Sequence, residues 1–411
     1  MSASVFDVKM STNDKNRMTR RYPDPPAATT DYRRLLRPPP ACFSVFGMRG
    51  AGKATWAGTW FANAHVIDLG DARRCHQLLA APARLASEVR DAPTYVTIVV
   101  NDVQRAGPLL AELCRLMVTT NRQFVLLGSS VCPLRASGPL LATCAPPLTM
   151  FPLVPAEFGR DFSLERVLRF GSLPAIWEAA DPRGALDDYV QAYVQEEIRG
   201  DGAVRNLPAF LRFLPVAALA HGQVVNVAAL ARDAVTSRTT IDGYLAILRD
   251  TLVATLLPAF EPRLRVRERH HPKLYWTDCG VVRAMKGQLG DVSAEERPAL
   301  IEGLALTVLR AHNHRGEIFD DIGYWSPGQA RSTDVDFLLR RGREYLAIEI
   351  DGRTRHERPR MAGLRAIAGL PHLVRRVLVY LGDRTFRTED GVDVVPLADW
   401  FDAVATGSLW P

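Results

Sequence analysis

The run Gly47-Met-Arg-Gly-Ala-Gly52-Lys53-Ala54-Thr55 has the glycine and lysine spacing of a loop that wraps phosphate groups. Glycines let successive backbone N–H groups curl round a polyphosphate, and a lysine opening the next helix reaches the terminal phosphates. The run follows the apolar stretch Cys42–Phe46 and opens a helical pattern, which is the context such a loop requires. Gly47, Arg49, Gly50, Ala51, Gly52, Lys53, Ala54 and Thr55 are therefore the expected nucleotide contacts, with ATP as ligand and Mg2+ as its companion. One position departs from that chemistry. The residue after the lysine should offer magnesium a hydroxyl, and it is Ala54. Thr55 does not stand in for it, because one helical step turns a side chain by about 100°. Magnesium accepts water in place of a protein ligand, so nucleotide binding is expected to survive in weakened form.

An acidic element is expected at the end of the third strand, in Thr97-Ile-Val-Val-Asn101-Asp102-Val-Gln-Arg105. Asn101 stands where a magnesium-holding aspartate is expected, and Asp102 where a glutamate would polarise the attacking water. Asp102 is thus the remaining candidate for a hydrolytic acid and water-mediated metal ligand. Gly128-Ser129-Ser130 closes the fourth strand, where Ser129 either senses the γ-phosphate or simply ends the strand in a turn.

Short apolar runs alternate with helical patterns around these residues. Cys42–Phe46, His65–Leu69, Tyr95–Val100, Gln123–Leu127 and Leu148–Phe151 read as buried strands of a parallel sheet. Lys53–Ala64, Ala72–Val89 and Gln104–Thr119 read as the helices between them. The pattern turns helical from Pro155 to about Ala220, then gives a helix–turn–helix and alternating strands over 223–275. A second α/β region begins near Pro298. Residues 1–40, polar and closed by Pro38-Pro39-Pro40, read as a flexible tail.

Composition narrows the class. At 411 residues, 47% apolar and 23% charged, the chain is an ordinary globular one with several domains. No apolar run approaches the ~20 residues of a membrane span, and the polar start carries no secretory pattern, so a cytoplasmic protein is expected. The net charge is +6, from 46 arginines and only five lysines. That ratio fits coding bias and is also compatible with a polyanionic partner. Six cysteines without paired spacing read as buried thiols.

Taken in order, the GxRGxGK loop, the NDVQR segment, Leu126-Leu-Gly-Ser-Ser130 and Leu148-Thr-Met-Phe-Pro-Leu-Val-Pro-Ala-Glu-Phe158 resemble one group of bacterial and archaeal AAA-type ATPases. The resemblance continues through Gly171-Ser-Leu-Pro174, Ser237–Leu245, His271-Pro-Lys-Leu-Tyr275 with Asp278, Asp334-Val-Asp336-Phe337, Ala347-Ile-Glu349, Leu378–Gly382 and Leu409-Trp-Pro411. It implies an α/β fold: an AAA-type P-loop NTPase parallel sheet, then a winged helix-turn-helix, then a second, nuclease-like α/β domain. The expected divisions are 1–40 tail, 41–152 P-loop core, 153–222 helical segment, 223–290 winged helix and 291–411 nuclease-like domain. An AAA-type core also makes an oligomer possible. The arginine that the family usually carries before the fifth strand is replaced by Thr143-Cys144. With Ala54 and Asn101, that is a third polar loss, and it favours binding over turnover.

In the winged-helix region, Ser237 or Thr236 can cap a second helix presenting Ser237, Arg238, Thr239 and Asp242, the position from which such helices read DNA. Arg263, Arg265, Arg267 and Arg269 alternate and would share one strand face, either along a DNA backbone or in solvent. At the C-terminal end, restriction-type nucleases hold metal on a helix glutamate, a hairpin aspartate and a Glu-x-Lys strand. Glu302, Asp336 and Glu349 fill the acidic positions, while Asp351 replaces the lysine with the opposite charge. No cation is left nearby unless Arg353 or Arg355 swings in. The reading is an ATP-binding, DNA-associated protein with weak or absent hydrolysis. The alternatives are a non-enzymatic nucleotide-gated regulator and an ATP-controlled metal-dependent nuclease.

Overall fold

The computed structural model describes residues 32–132, 139–195, 204, 206–260, 270–313, 318–327, 333–352 and 361–411. The first half is a parallel sheet of β1 (Phe43–Phe46), β2 (His65–Asp68), β3 (Ile98–Asn101), β4 (Phe124–Gly128) and β5 (Pro147–Thr149), in the order β2-β3-β4-β1-β5. β1, β3 and β4 are apolar and buried on both faces, as helix-covered parallel strands must be. α1 (Lys53–Trp60), α2 (Ala72–Ala80), α3 (Ala83–Asp91) and α4 (Leu110–Thr119) connect them.

The helical stretch expected over 72–89 is broken at Ala81-Pro82, because a proline ring cannot continue a helix interior. Pro108 holds 103–109 in a tighter 3-10 turn before α4 for the same reason. Within the stretch expected as a tail, residues 32–36 make contacts with the folded part. Leu36 is buried, its carbonyl accepts from Trp56 Nε1 at 3.0 Å, and Arg34 Nε donates to Glu157 at 3.0 Å.

α5 (Leu164–Phe170), α6 (Pro182–Ala192) and α7 (Leu207–Leu219) follow. Next come β6 (Gln223–Val224), α8 (Val227–Asp233), α9 (Arg238–Asp250), β7 (Ala254–Leu257) and β8 (Lys273–Trp276). Asn226 and Ser237 cap α8 and α9 through their side chains. The three strands form an antiparallel sheet in the order β6-β8-β7. Asp278 caps α10 (Cys279–Met285), and its other oxygen accepts from Ser172 N at 2.7 Å, tying this helix to the Gly171–Pro174 turn. A Cβ at Gly171 would lie 2.0 Å from that carboxylate, so only glycine fits.

The C-terminal part has α11 (Arg297–His312), β9 (Asp321–Trp325), β10 (Val335–Arg341), β11 (Glu344–Asp351), β12 (Leu373–Tyr380), β13 (Phe386–Arg387), β14 (Asp393–Pro396) and α12 (Leu397–Thr406). They build a mixed six-stranded sheet in the order β13-β14-β12-β11-β10-β9. One apolar core runs from Val45 and Met48 of the parallel sheet through Phe213 and Trp276 to Leu304 and Trp400. Among the described residues, no helix is long and apolar enough to cross a membrane.

His221 pins α11 to the three-stranded sheet. Its Nδ1 accepts from Trp276 N at 3.0 Å, so the proton sits on Nε2, which donates to Ala299 O at 2.9 Å. Burial lowers its pKa to about 3. Between about pH 6.5 and 3 the unfolded chain takes a proton that the folded ring refuses, so stability falls as pH falls through that window, by up to ~1.4 kcal/mol per pH unit. Histidine NMR at pH 5 is expected to find His221 neutral and Nε2-protonated. Urea unfolding at pH 7 and 4.5 should show a smaller acid loss in His221→Gln than in wild type.

Candidate functional site

The phosphate loop leaves β1 and enters α1 with Gly50 and Gly52 at φ of 77° and 88°, a region that glycine occupies without strain. Gly47 N donates to Gly128 O at 3.1 Å, which anchors the loop to the end of β4. A Cβ at Gly47 would sit 2.3 Å from Met150 O, so the backbone of β1 must run bare past the end of β5. Lys53 Nζ folds across the loop to Gly47 O at 2.6 Å and Met48 O at 3.2 Å. Ala54 and Thr55 are exposed on the first turn of α1.

Two segments that carry no phosphate-loop signature pack on this cradle. Arg34 Nη1 donates to Ala51 O at 3.0 Å and its Nη2 to Phe151 O. On the other side, a Cβ at Gly50 would meet the Tyr189 ring at 3.6 Å, and one at Gly52 would meet Pro174 at 3.5 Å. The helical segment therefore roofs the loop. The Gly171–Pro174 motif was a usable signal for that contact. For Arg34, one of 46 arginines, there was none.

Asp102 and Ser129 are brought together by Gln104. Its Nε2 donates to Asp102 Oδ1 at 3.0 Å and to Ser129 Oγ at 2.9 Å, and Ser129 N returns a bond to Gln104 Oε1 at 3.3 Å. Asp102 itself sits at φ 54°, a turn that lifts its side chain out of the strand line. Asn101 donates to Asp68 Oδ1 at 3.1 Å across the β2–β3 pair. Its amide thus makes a neighbourly bond that an aspartate, meeting Asp68 charge to charge, would not. Gln104, the fourth residue of the NDVQR segment, is the positioning residue that spacing alone did not single out.

The C-terminal acids converge differently from the expected metal pocket. Asp336, on β10, accepts from Lys273 Nζ at 3.3 Å and from Ile350 N at 2.9 Å. Glu302, on α11, accepts from Tyr275 Oη at 3.0 Å. Lys273 and Tyr275 both come from β8, and the ammonium also lies 5.2 Å from the Tyr324 ring. Burial opposes the charge on Lys273, but Asp336 and Glu302 outweigh it and hold the ammonium above its ordinary pKa. Burial and the neighbouring Asp336 push Glu302 well above the usual carboxylate range and Glu349 to about 9. Glu349 Oε2 is buried with no hydrogen-bond partner among the described residues.

Among the described residues, no three His, Cys, Asp or Glu side chains are gathered so as to hold a metal ion. Among the described residues the cation beside these acids is Lys273, while Arg353 and Arg355 lie outside the described residues. Asp102 belongs to the other sheet and is no part of this cluster.

Ser237, Arg238 and Thr239 are exposed at the start of α9, where Ser237 Oγ is engaged as a cap by Thr240 N at 3.1 Å. Arg263, Arg265, Arg267 and Arg269 lie outside the described residues.

Residues 161–291 match a domain of unknown function (DUF8612), and residues 298–400 match another (DUF4143). Two uncharacterized mycobacterial proteins, Rv2008c of Mycobacterium tuberculosis and Mb2031c of Mycobacterium bovis, are each 28% identical over 252 residues. That alignment covers 60% of this chain and 54% of each relative, so the chain spans about half the length of the curated relatives it matches. Among solved structures, the Walker-type ATPase PABY2304 of Pyrococcus abyssi aligns at 11% identity and a TM-score of 0.39, over 60% of this chain and 91% of that one. The Drosophila ORC structure bound to AT-rich DNA and Cdc6 aligns at 9% identity and 0.20, over 61% and 87%. Likeness at those TM-scores carries no conclusion about function, which has to come from this chain's own residues.

Replacing Lys273 by Met strips the buried cation from Asp336 and Glu302. Breaking a buried pair from one side costs ~3–5 kcal/mol. In urea unfolding, Lys273→Met is expected to lose about that much, and Lys273→Met combined with Asp336→Asn to recover part of it.

Proposed function

We propose that this chain is an ATP-binding P-loop protein that hydrolyses ATP slowly or not at all and associates with DNA. The carrying observation is the loop itself: Gly47 held bare against Met150, Gly50 and Gly52 at positive φ, and Lys53 laid across the loop carbonyls. A triphosphate binds by replacing those carbonyls as the acceptor for Lys53, while the loop N–H groups take the phosphate oxygens. These residues suit the phosphates better than they suit magnesium. Ala54 offers no hydroxyl, and Asn101 spends its amide on Asp68 without adding charge. Bound Mg2+ would supply charge neutralisation at the β- and γ-phosphates, with water filling its remaining positions. Phosphoryl transfer depends almost wholly on positioning and charge, so the same losses that spare binding depress turnover. Asp102, aligned by Gln104 with Ser129, is the acid left to polarise water.

For DNA, the support is a capped helix presenting exposed Arg238 and Thr239, followed by an antiparallel sheet, in a chain with a large arginine excess. That helix pair and sheet are read as a winged helix. The C-terminal sheet is read as a nuclease-like fold whose acids are neutralised from within by Lys273. A working nuclease is not favoured, because Asp336 and Lys273 are both buried.

Calorimetry with a non-hydrolysable ATP analogue is expected to detect binding that Lys53→Ala abolishes, with phosphate release below the ~1–100 s⁻¹ of working phosphotransferases. Ala54→Thr with Asn101→Asp should raise that release. Rapid release by the wild type would sink the reading.

DNA binding is expected to be salt-sensitive and tolerant of sequence. Neutralising Arg263, Arg265, Arg267 and Arg269 together should flatten the salt slope by up to roughly 0.9 per lost phosphate contact. An unchanged slope and affinity would assign the wing to packing alone.

A further inference from the structure

A cavity of about 240 Å³ lies where the P-loop core, α9, β7 and α11 meet, walled by Met48, Phe151, Thr149 and Thr277. Arg310, near the end of α11, lines it and is half-buried. Its guanidinium donates from Nη1 to Thr255 Oγ1 and stacks 5.1 Å from the Phe151 ring. Among the described residues it has no carboxylate partner, and burial alone lowers its pKa to about 10. Arg249 lines the same cavity at its half-exposed rim, 3.6 Å from Asp250. Among the described residues no acid lines the wall, and those residues bring two guanidinium groups to the space and one carboxylate, Asp250, to its edge.

Arg34 and Lys273 each face a carboxylate, and buried Arg122 donates to the carbonyls of Ala92 and Pro93, as the cost of removing a charge from water requires. A guanidinium has five N–H donors in a planar fork. Arg310 uses one on a hydroxyl and turns an aromatic ring toward its face, and neither neutralises it. Among the described residues its remaining donors meet no acid, which leaves the fork open to an anion. The volume admits several waters at ~30 Å³ each and falls below the ~300 Å³ at which pockets for drug-sized ligands begin. It suits a small oxyanion and not a whole nucleotide.

We propose that this cavity is an oxyanion site, with Arg310 as the bidentate ligand and Arg249 closing its mouth, that takes inorganic phosphate or pyrophosphate. Met48 belongs both to this wall and to the P-loop, where its carbonyl accepts from Lys53. An ion seated here therefore presses on the nucleotide loop from behind. The site is separate from the P-loop cradle, and its existence does not depend on ATP binding there.

Thermal unfolding of the full chain in phosphate-free buffer, with phosphate, pyrophosphate or ATP added, tests this. Binding to the folded state raises Tm with ligand concentration. The wild type is expected to gain several degrees with phosphate or pyrophosphate, and Lys53→Ala to keep that gain while losing the response to ATP. Arg310→Met is expected to melt higher than wild type in the absence of anion, because the unpaired charge is gone, and to lose the phosphate shift. Arg249→Met should keep a reduced shift and serves as the second variant should Arg310→Met fail to fold. No wild-type response to phosphate or pyrophosphate overturns the site. So does a phosphate shift that survives Arg310→Met but disappears in Lys53→Ala, since the ion would then be in the P-loop.

Discussion

A charge taken out of water must meet an opposite charge or a ring of acceptors, and the junctions of this molecule are built on that requirement. Arg34 reaches from the N-terminal segment to Glu157 and to two carbonyls flanking the phosphate loop. Arg283, almost wholly buried, bonds Glu296 at 3.0 Å and the carbonyls of Arg169 and Gly290 at 2.9 and 3.0 Å, locking α10 between the helical segment and the approach to α11. Lys273 carries the three-stranded sheet onto Asp336 of the six-stranded one. Each buried cation joins stretches distant in sequence, so the domains read along the chain are held as one body with a continuous core. Arg310 is the instance where the described residues supply no counter-charge.

The same requirement sets what was legible in the sequence. The phosphate loop was, because its chemistry is written in consecutive residues: Gly47, Gly50, Gly52 and Lys53 each have a local reason for being where they are. The parallel sheet was legible as well, since strands buried on both faces read as unbroken apolar runs. The breaks at Pro82 and Pro108 were within reach of the same logic. The side chains that come to these sites from afar were not. Nothing in Tyr32-Arg-Arg-Leu-Leu36 distinguishes Arg34 from its neighbour Arg33, and only the fold puts Glu157 beside the first and solvent beside the second. Lys273 stood in a recognised motif, but its partner is 63 residues on and in another sheet. Non-local electrostatics leaves no periodicity to read.

At the ends of β2, β3 and β4 beside the glycine loop, the polar side chains bond one another. Asn101 bonds Asp68, and Gln104 bridges Asp102 to Ser129 just beyond the ends of β3 and β4. On the proposed reading, such a neutral network suits holding a phosphate chain more than chemistry that needs charge to develop at a chosen oxygen.

The acidic cluster of the C-terminal sheet raises the question of where a displaced cation goes. A lysine at position 351 would stand on the same strand as Glu349 and share its face, presenting an ammonium beside the acids and toward whatever they bind. With Asp351 there instead, the cation comes from β8, behind Asp336, and is almost wholly buried. An ammonium in that place pairs with Asp336 from within. Glu349 Oε2 has no hydrogen-bond partner among the described residues, and burial with the neighbouring Asp336 raises the pKa of this acid to about 9. One positive charge is present in either arrangement, but its direction of approach decides the outcome: from the strand face it would serve a ligand, and from the neighbouring sheet it serves the fold.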